Sequence, residues 1–387
     1  MKPQGRLLLA GMLSAGLLAA CAPTAATQRP AWSAVSVVSK DVALQGIACA
    51  GHGLCFAVGS LEGPPGFMSA VVEKWNGSNW VMSAVPRTAG SLDSIACPSA
   101  NYCLAAGIGP PACPAEGPCI SEGLLPVKSR MPVLLSWEGG VWKSAAAPGS
   151  SGETIEQVAC QAPGNCLSLN NSGLFQLSAG TWRSVHLPFA PVSVACGPSV
   201  CLAAGAKTNQ PVSQFMGAVT SGGAWKVLQD VGAVPVPSSP VAMSCPGKSG
   251  CVIFWNNASS AQIHELLVAN GEVVDRIAAS PVARVVDLGT SLWCSTTSSC
   301  MVAGTEELGQ GVNGTGARPE VVNIVGSHIS SDALPLPVSP AGLASQNASA
   351  ALACETTSYC LAVGTSYLQE AGLGVTLPQR AFADAIR

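Results

Sequence analysis

The stretch Ser94-Ile-Ala-Cys97-Pro-Ser-Ala-Asn-Tyr-Cys103-Leu-Ala-Ala-Gly107 sets the architecture: an apolar run, a cysteine, five residues, a second cysteine, then small apolar residues ending in glycine. It recurs as seven pairs: Cys49 with Cys55, Cys97 with Cys103, Cys160 with Cys166, Cys196 with Cys201, Cys245 with Cys251, Cys294 with Cys300 and Cys354 with Cys360. Only the Cys196 pair is one residue shorter. Around each pair the same signals follow in order. In the first repeat Val42 to Cys49 is apolar and Cys55 to Gly59 follows. Then come a Gly/Pro-rich loop, Ala70 to Trp75, the turn Asn76-Gly-Ser-Asn79 and Trp80 to Pro86. Short runs of β-branched and small apolar residues between Gly, Asn and Pro are strand and turn signals. Four such strands, a to d, in a unit of about 40 to 50 residues repeated along the chain predict an all-β fold, a β-propeller of four-stranded antiparallel blades.

Strand b recurs as Cys103-Leu-Ala-Ala-Gly107, Cys201-Leu-Ala-Ala-Gly205, Cys300-Met-Val-Ala-Gly304 and Cys360-Leu-Ala-Val-Gly364. Cys166-Leu-Ser-Leu-Asn170 and Cys251-Val-Ile-Phe-Trp255 are looser copies of it. The start of strand d recurs as Gly140-Val-Trp142, Gly180-Thr-Trp182 and Gly223-Ala-Trp225, and the fifth and sixth repeats keep only turn signals there, at Asn270-Gly271 and Gly326. The seventh repeat has a and b around Cys354 and Cys360 and a c strand in Gln379 to Ile386, with no d strand after it. Ala31-Trp32-Ser-Ala-Val-Ser-Val37 has the pattern of Trp80 to Val85, so the first strand of the domain is expected to complete the last blade and close the ring. Closure leaves no open sheet edge for another chain to pair with. The count is seven blades, with six or eight as the alternatives.

The paired cysteines and Gly-x-Trp turns make residues 31–387 resemble the disulfide-containing β-propeller repeats of exported bacterial proteins, and more distantly the kelch and Asp-box propellers. Ser178-Ala-Gly-Thr-Trp182 lacks the aspartate of the Asp-box, and the kelch double glycine does not recur. The resemblance implies the fold and no activity.

The N-terminus reads as an export signal. Lys2 and Arg6 precede an apolar segment from Leu7 to Ala20, too short to span a bilayer. Leu18-Ala-Ala-Cys21 resembles the lipobox of bacterial lipoproteins, which implies residues 1–21 as a lipoprotein signal peptide ending at a lipidated Cys21. Residues 22–30 then form a tether, and the protein is exported and lipid-anchored to the outer side of the cytoplasmic membrane, or to an outer membrane where one exists. An ordinary cleaved signal is the alternative. The 17 cysteines fit the lipoprotein reading: without Cys21, sixteen remain, the seven pairs plus Cys113 and Cys119, enough for eight disulfides. Two cysteines flanking a five-residue connection between antiparallel strands can face each other at bonding distance. A zinc site would need four clustered ligands, whereas His52, His186, His264 and His328 are scattered, and no redox Cys-x-x-Cys occurs. No metal or cofactor is expected.

Charged residues make up 10% of the chain and the net charge is -3, with no Lys/Arg run able to track a phosphate backbone, so no nucleic-acid partner is expected. Trp32, Trp80, Trp142, Trp182 and Trp225 occupy one repeated position, where they either pack between blades or stack on sugars. The b-to-c connections are read as long: Ser60 to Ser69, Ile108 to Met131, Ala206 to Phe215, Thr305 to Arg318 and Thr365 to Pro378. The a-to-b turns are short and cross-linked. Loops on a rigid scaffold are where binding usually resides, so Pro65, Phe67, Met68, Tyr367 and Leu368 form a candidate binding face, beside the loop stapled by Cys113 and Cys119. The strands leading into each first cysteine, such as Gly-Ile-Ala-Cys49 and Ser-Ile-Ala-Cys97, offer only small and apolar side chains, Glu306 and Glu307 read as solvated loop residues, and no catalytic residue is singled out. The expected function is a membrane-anchored binding or scaffold module for an envelope protein or glycan. The alternative is an envelope carbohydrate hydrolase or lyase, which would bring several Asp or Glu side chains to one mouth of the channel.

Overall fold

The computed structural model describes residues 31–37, 42–51, 53–62, 68–86, 90–109, 131–150, 152–207, 214–220, 223–228, 241–247, 250–257, 262–278, 285–311, 314–335, 344–369 and 380–386. Cys21, the signal segment and the tether lie outside the described residues. So do Pro65, Phe67 and the loop that carries Cys113 and Cys119, so the expected bridge between Cys113 and Cys119 has no counterpart among the seven described below.

The described residues form seven four-stranded antiparallel sheets. The first strand, β1 (Ser33–Val35), belongs to the last blade. Blade one is β2 (Val42–Gly51), β3 (Leu54–Glu62), β4 (Met68–Trp75) and β5 (Trp80–Ser83), and blade two is β6 (Ser91–Ser99), β7 (Tyr102–Ile108), β8 (Pro132–Glu138) and β9 (Val141–Ala145). Blade three is β10 (Ile155–Ala162), β11 (Asn165–Asn170), β12 (Gly173–Ser178) and β13 (Thr181–Val185). Blade four is β14 (Ala190–Cys196), β15 (Cys201–Lys207), β16 (Gln214–Thr220) and β17 (Trp225–Val227). Blade five is β18 (Ala242–Ser244), β19 (Gly250–Asn257), β20 (Gln262–Ala269) and β21 (Glu272–Ala278). Blade six is β22 (Val285–Thr296), β23 (Ser299–Gly311), β24 (Gly314–Val325) and β25 (His328–Ala333). Blade seven is β26 (Ala344–Thr356), β27 (Tyr359–Gln369) and β28 (Arg380–Ile386), completed by β1 through the pairs Ser33 to Ala385 and Val35 to Ala383. The innermost strands follow one another around the ring, and β26 returns to β2. Seven blades and closure by the N-terminal strand are therefore as the repeats predict.

The core sits between blades. Each blade offers an apolar face to its neighbour, as where Phe56, Val58 and Val72 of blade one meet Leu92, Ala105 and Leu135 of blade two. The repeated tryptophans belong to these seams: Trp80 packs on blade seven, Trp142 on blade one, Trp182 on blade two, Trp225 on blade three and Trp32 on blade six. Trp80 and Trp142 are 4% and 6% exposed, so the packing role wins over sugar stacking. The turns into strand d need left-handed backbone. Asn270 (φ 54°) and Gly271 (φ 76°) are both positive, as a type I′ hairpin requires.

Two expectations are corrected. Thr305 to Arg318 is not a free loop: β23 runs to Gly311 and β24 begins at Gly314, an antiparallel arm in which Glu306 pairs with Arg318 and Glu307 with Ala317. Glu306 and Glu307 are strand residues. Similarly β27 runs on to Gln369, shortening the connection read from Thr365. Glycine and polar residues in these segments mask a ladder that backbone pairing sustains without an alternating apolar pattern.

Candidate functional site

A recurring irregularity in the innermost strands builds the site. In blade one Leu44 pairs with Gly59 and Gly46 with Val58, so Gln45 is an extra residue on its strand. The same slip leaves Asp93 between Leu92 and Ser94, Glu156 between Ile155 and Gln157, and Val192 between Pro191 and Ser193. Such β-bulges twist a strand and re-aim a side chain. Here they aim it into the central channel. In blades one, two and four the bulge also accounts for the glycine four residues after the second cysteine, whereas blade three holds Asn170 there. A Cβ on Gly59 would overlap the Ala43 carbonyl, one on Gly107 the Ser91 carbonyl, and one on Gly205 the Ala190 carbonyl.

The residue after the bulge ties blades together. Ser94 Oγ accepts from Val158 N at 3.0 Å, Gln157 Oε1 accepts from Val194 N at 2.9 Å, and Ser193 Oγ donates to the Val241 carbonyl at 2.9 Å. These bonds fix the level at which the bulged side chains project.

Two chambers of the channel are formed among the described residues. The first, about 220 Å³, is lined from all seven innermost strands: Gln45, Asp93 and Glu156 from blades one to three, and Val192, Met243, Ser291, Leu292 and Leu352 from blades four to seven. Gln45 and Glu156 are exposed to the channel; Asp93 is half-buried and accepts from Ser91 Oγ at 3.0 Å. The second chamber, about 250 Å³, is lined by Ala96, Ala159, Ala195 and the cysteines Cys97, Cys160, Cys196 and Cys245. Val158, Met243 and Leu292 line both and form the neck. Because every innermost strand runs from the loop-bearing face to its disulfide turn, the polar chamber lies toward the loops. The expectation that these strands offer only small and apolar side chains is thus corrected: Gln45, Asp93 and Glu156 stand one residue ahead of the apolar segments and face the channel. The available signal was the polar residue four positions before the first cysteine.

Seven disulfides close the opposite face, each joining strands a and b of one blade with Cα atoms 4.0–4.1 Å apart. Cys49 is bonded to Cys55, Cys97 to Cys103, Cys160 to Cys166 and Cys196 to Cys201. Cys245 is bonded to Cys251, Cys294 to Cys300 and Cys354 to Cys360. The second cysteine of each pair starts strand b inside the seam, where Cys166 and Cys251 are both 1% exposed. Their number marks an oxidising, extracytoplasmic environment. On the loop-bearing face Met68, half-buried, stands opposite Glu62 at the end of its hairpin. Tyr367 and Leu368 lie in β27 across from Gln346 and Ser345, with side chains outside what is described. Blades one and seven adjoin, so these strand ends share one side of the ring. Among the described residues no three His, Cys, Asp or Glu side chains stand close enough to hold a metal ion.

No family model matches the chain, and no curated protein matches it. Solved structures with a similar fold include YCF48 bound to D1 peptide, at 10% identity and TM-score 0.49, covering 92% of this chain and 97% of that one. Chaetomium thermophilum Sqt1 bound to the N-terminus of the ribosomal protein L10 is similar at 9% identity and TM-score 0.47, covering 88% of both chains. Trypanosoma rangeli sialidase in complex with sialic acid is similar at 8% identity and TM-score 0.45, covering 92% of this chain and 59% of that one. Likenesses this remote carry no functional argument. The architecture rests on the strand order itself.

Proposed function

We propose that the chain is an exported lipoprotein whose propeller binds an envelope protein or glycan through its loop-bearing face. Residues 1–21 are its signal peptide, Cys21 carries the lipid, residues 22–30 are the tether, and residues 31–387 form the ring. The observation that carries this reading is the difference between the two faces. One is trimmed to short turns, those between strands a and b each held by a disulfide. On the other, β22, β23, β24, β26 and β27 extend into strands of 11 to 13 residues, and the polar chamber opens toward them. A fixed platform with one elaborated face suits recognition, because a preorganised surface loses little entropy on binding. Pro65, Phe67, Met68, Tyr367 and Leu368 are the proposed contact residues. Cys113 and Cys119, proposed as the eighth disulfide, belong to the connection between β7 and β8, whose strand ends lie on that face. The test is capture from envelope extract, with peptidoglycan co-sedimentation for glycan. The chain is compared with a variant carrying Phe67→Ala, Met68→Ala and Tyr367→Ala, and with one whose residues 108–130 are replaced by a short turn. Loss of captured material in either variant supports the reading; unchanged capture in both overturns it.

A second reading has one observation in its favour. Asp93 and Glu156 bring two carboxylates into one channel, as a carbohydrate hydrolase would need. Turnover of chromogenic glycosides, abolished by Glu156→Gln, would support it.

A further inference from the structure

We infer that the polar chamber of the channel binds an organic cation: an ammonium or guanidinium group on a short aliphatic stem, supplied either by a partner's Lys or Arg side chain or by a free alkylamine. The inference rests on the reading that the loop-bearing mouth is the binding side. Three properties of the chamber point to this chemistry. Among the described residues its charge comes only from Asp93 and Glu156, on neighbouring blades, with no Lys, Arg or His in that lining. A concave site with low-dielectric walls focuses such a field and concentrates cations within it. Its lining is also two-sided. Gln45, Asp93 and Glu156 supply a polar arc over blades one to three alongside Ile47, Ile95 and Val158, and the aliphatic side chains of Val192, Met243 and Leu292 continue around blades four to six with Ser291 among them. A charged head can meet the first arc while its stem packs on the second, as amphipathic side chains do. Size sets the third limit. About 220 Å³ is below the roughly 300–1,000 Å³ of pockets for drug-sized ligands, so one side chain or a small amine fits. The chamber is built rather than incidental, since the bulges that place these groups recur in register and, behind Gln45 and Asp93, bring the neighbouring strand close enough to require glycine, at Gly59 and Gly107.

The experiment titrates the folded full chain, in detergent, with n-pentylamine, n-pentylguanidine and an acetylated tripeptide amide Gly-Lys-Gly, with 1-pentanol as the neutral control. Binding is read by calorimetry and ligand-observed NMR. Saturable binding of the cations and none of pentanol is expected. The variant carrying both Asp93→Asn and Glu156→Gln, with circular dichroism and melting temperature unchanged, should weaken it at least about tenfold, since a hydrogen bond to a charged group is worth more than that. Tighter binding of the peptide assigns the site to a partner side chain, and tighter binding of the free amines to a small molecule; both support the inference. No saturable binding of any cation by the folded chain overturns it, as does undiminished binding in the double variant. Envelope capture that persists without cation binding removes the channel site alone, whereas cation binding without envelope capture removes the loop-face reading alone.

Discussion

The indole Nε1 of Trp75 in blade one donates a 2.7 Å hydrogen bond to the phenolic oxygen of Tyr359 in blade seven, 284 residues away in the chain. Two further bonds cross the same seam: Gly53 N to Glu355 Oε1 at 2.7 Å and Thr365 Oγ1 to the Leu44 carbonyl at 3.2 Å. The ring is thus closed by side chains as well as by β1. Tyr359→Phe removes one acceptor at this seam and is expected to lower stability by about 1 kcal/mol. Urea unfolding followed by tryptophan fluorescence measures it, and an unchanged midpoint would show that the bond contributes nothing.

Gly107→Ala places a methyl group against the Ser91 carbonyl and the Leu92 Cα. The bulge that aims Asp93 must shift to admit it, at a cost of roughly 1–3 kcal/mol. Gly247→Ala is the control: a Cβ there meets nothing within 4 Å and its backbone is not left-handed, so a change within about 0.5 kcal/mol is expected. Thermal melting of the two variants should separate them clearly.

Asp384 in β28 is 0% exposed, lies between Phe382 and Ile386 on the side facing blade six, and has no hydrogen-bond partner for either carboxyl oxygen among the described residues. Burial pushes its pKa from 3.8 up to about 7. Between those values the folded chain holds a proton that the unfolded chain has lost. This residue's contribution to stability therefore falls as pH rises from about 4 to about 7, then levels off. Asp384→Asn keeps the uncharged state at every pH. The variant should match the parent near pH 4 and exceed it above pH 7 by up to about 4 kcal/mol. Unfolding curves at both pH values check this; a difference independent of pH would contradict it.

Each disulfide links strands within one blade and none of the seven crosses a seam. Removing one, by Cys97→Ala together with Cys103→Ala, should cost roughly 2 kcal/mol from the short loop it closes. Because the interblade bonds of Ser94 and Gln157 do not depend on it, a cooperative transition should persist at a lower temperature. Calorimetry showing two separated transitions would contradict that picture.

The blade count, the closing strand and the seven bridges were legible because each repeats a spacing that only one geometry satisfies. Cys97 and Cys103 must face each other, and the Trp32 segment must complete the blade that lacks a fourth strand. The channel chemistry was less legible. Leu92-Asp93-Ser94-Ile95 breaks strict alternation by one residue, but such a break also reads as a strand end, and a bulge is assigned only once the partner register is known. The arm from Thr305 to Arg318 was hidden for a related reason: its Gly and Glu residues carry turn and surface signals, while backbone pairing, with an irregularity between Glu307 and Gln310, sustains the two strands.

Whether the loop-bearing face is the binding side can be tested by site-specific photocrosslinking in intact cells. A benzoylphenylalanine is placed at Met68 on that face, or at Asn101 or Thr357, which are exposed on the disulfide-clamped turns. The expected result is a discrete crosslinked product from position 68 and none from positions 101 and 357. Products from positions 101 and 357 with none from 68 would place recognition on the opposite face and contradict the proposed function.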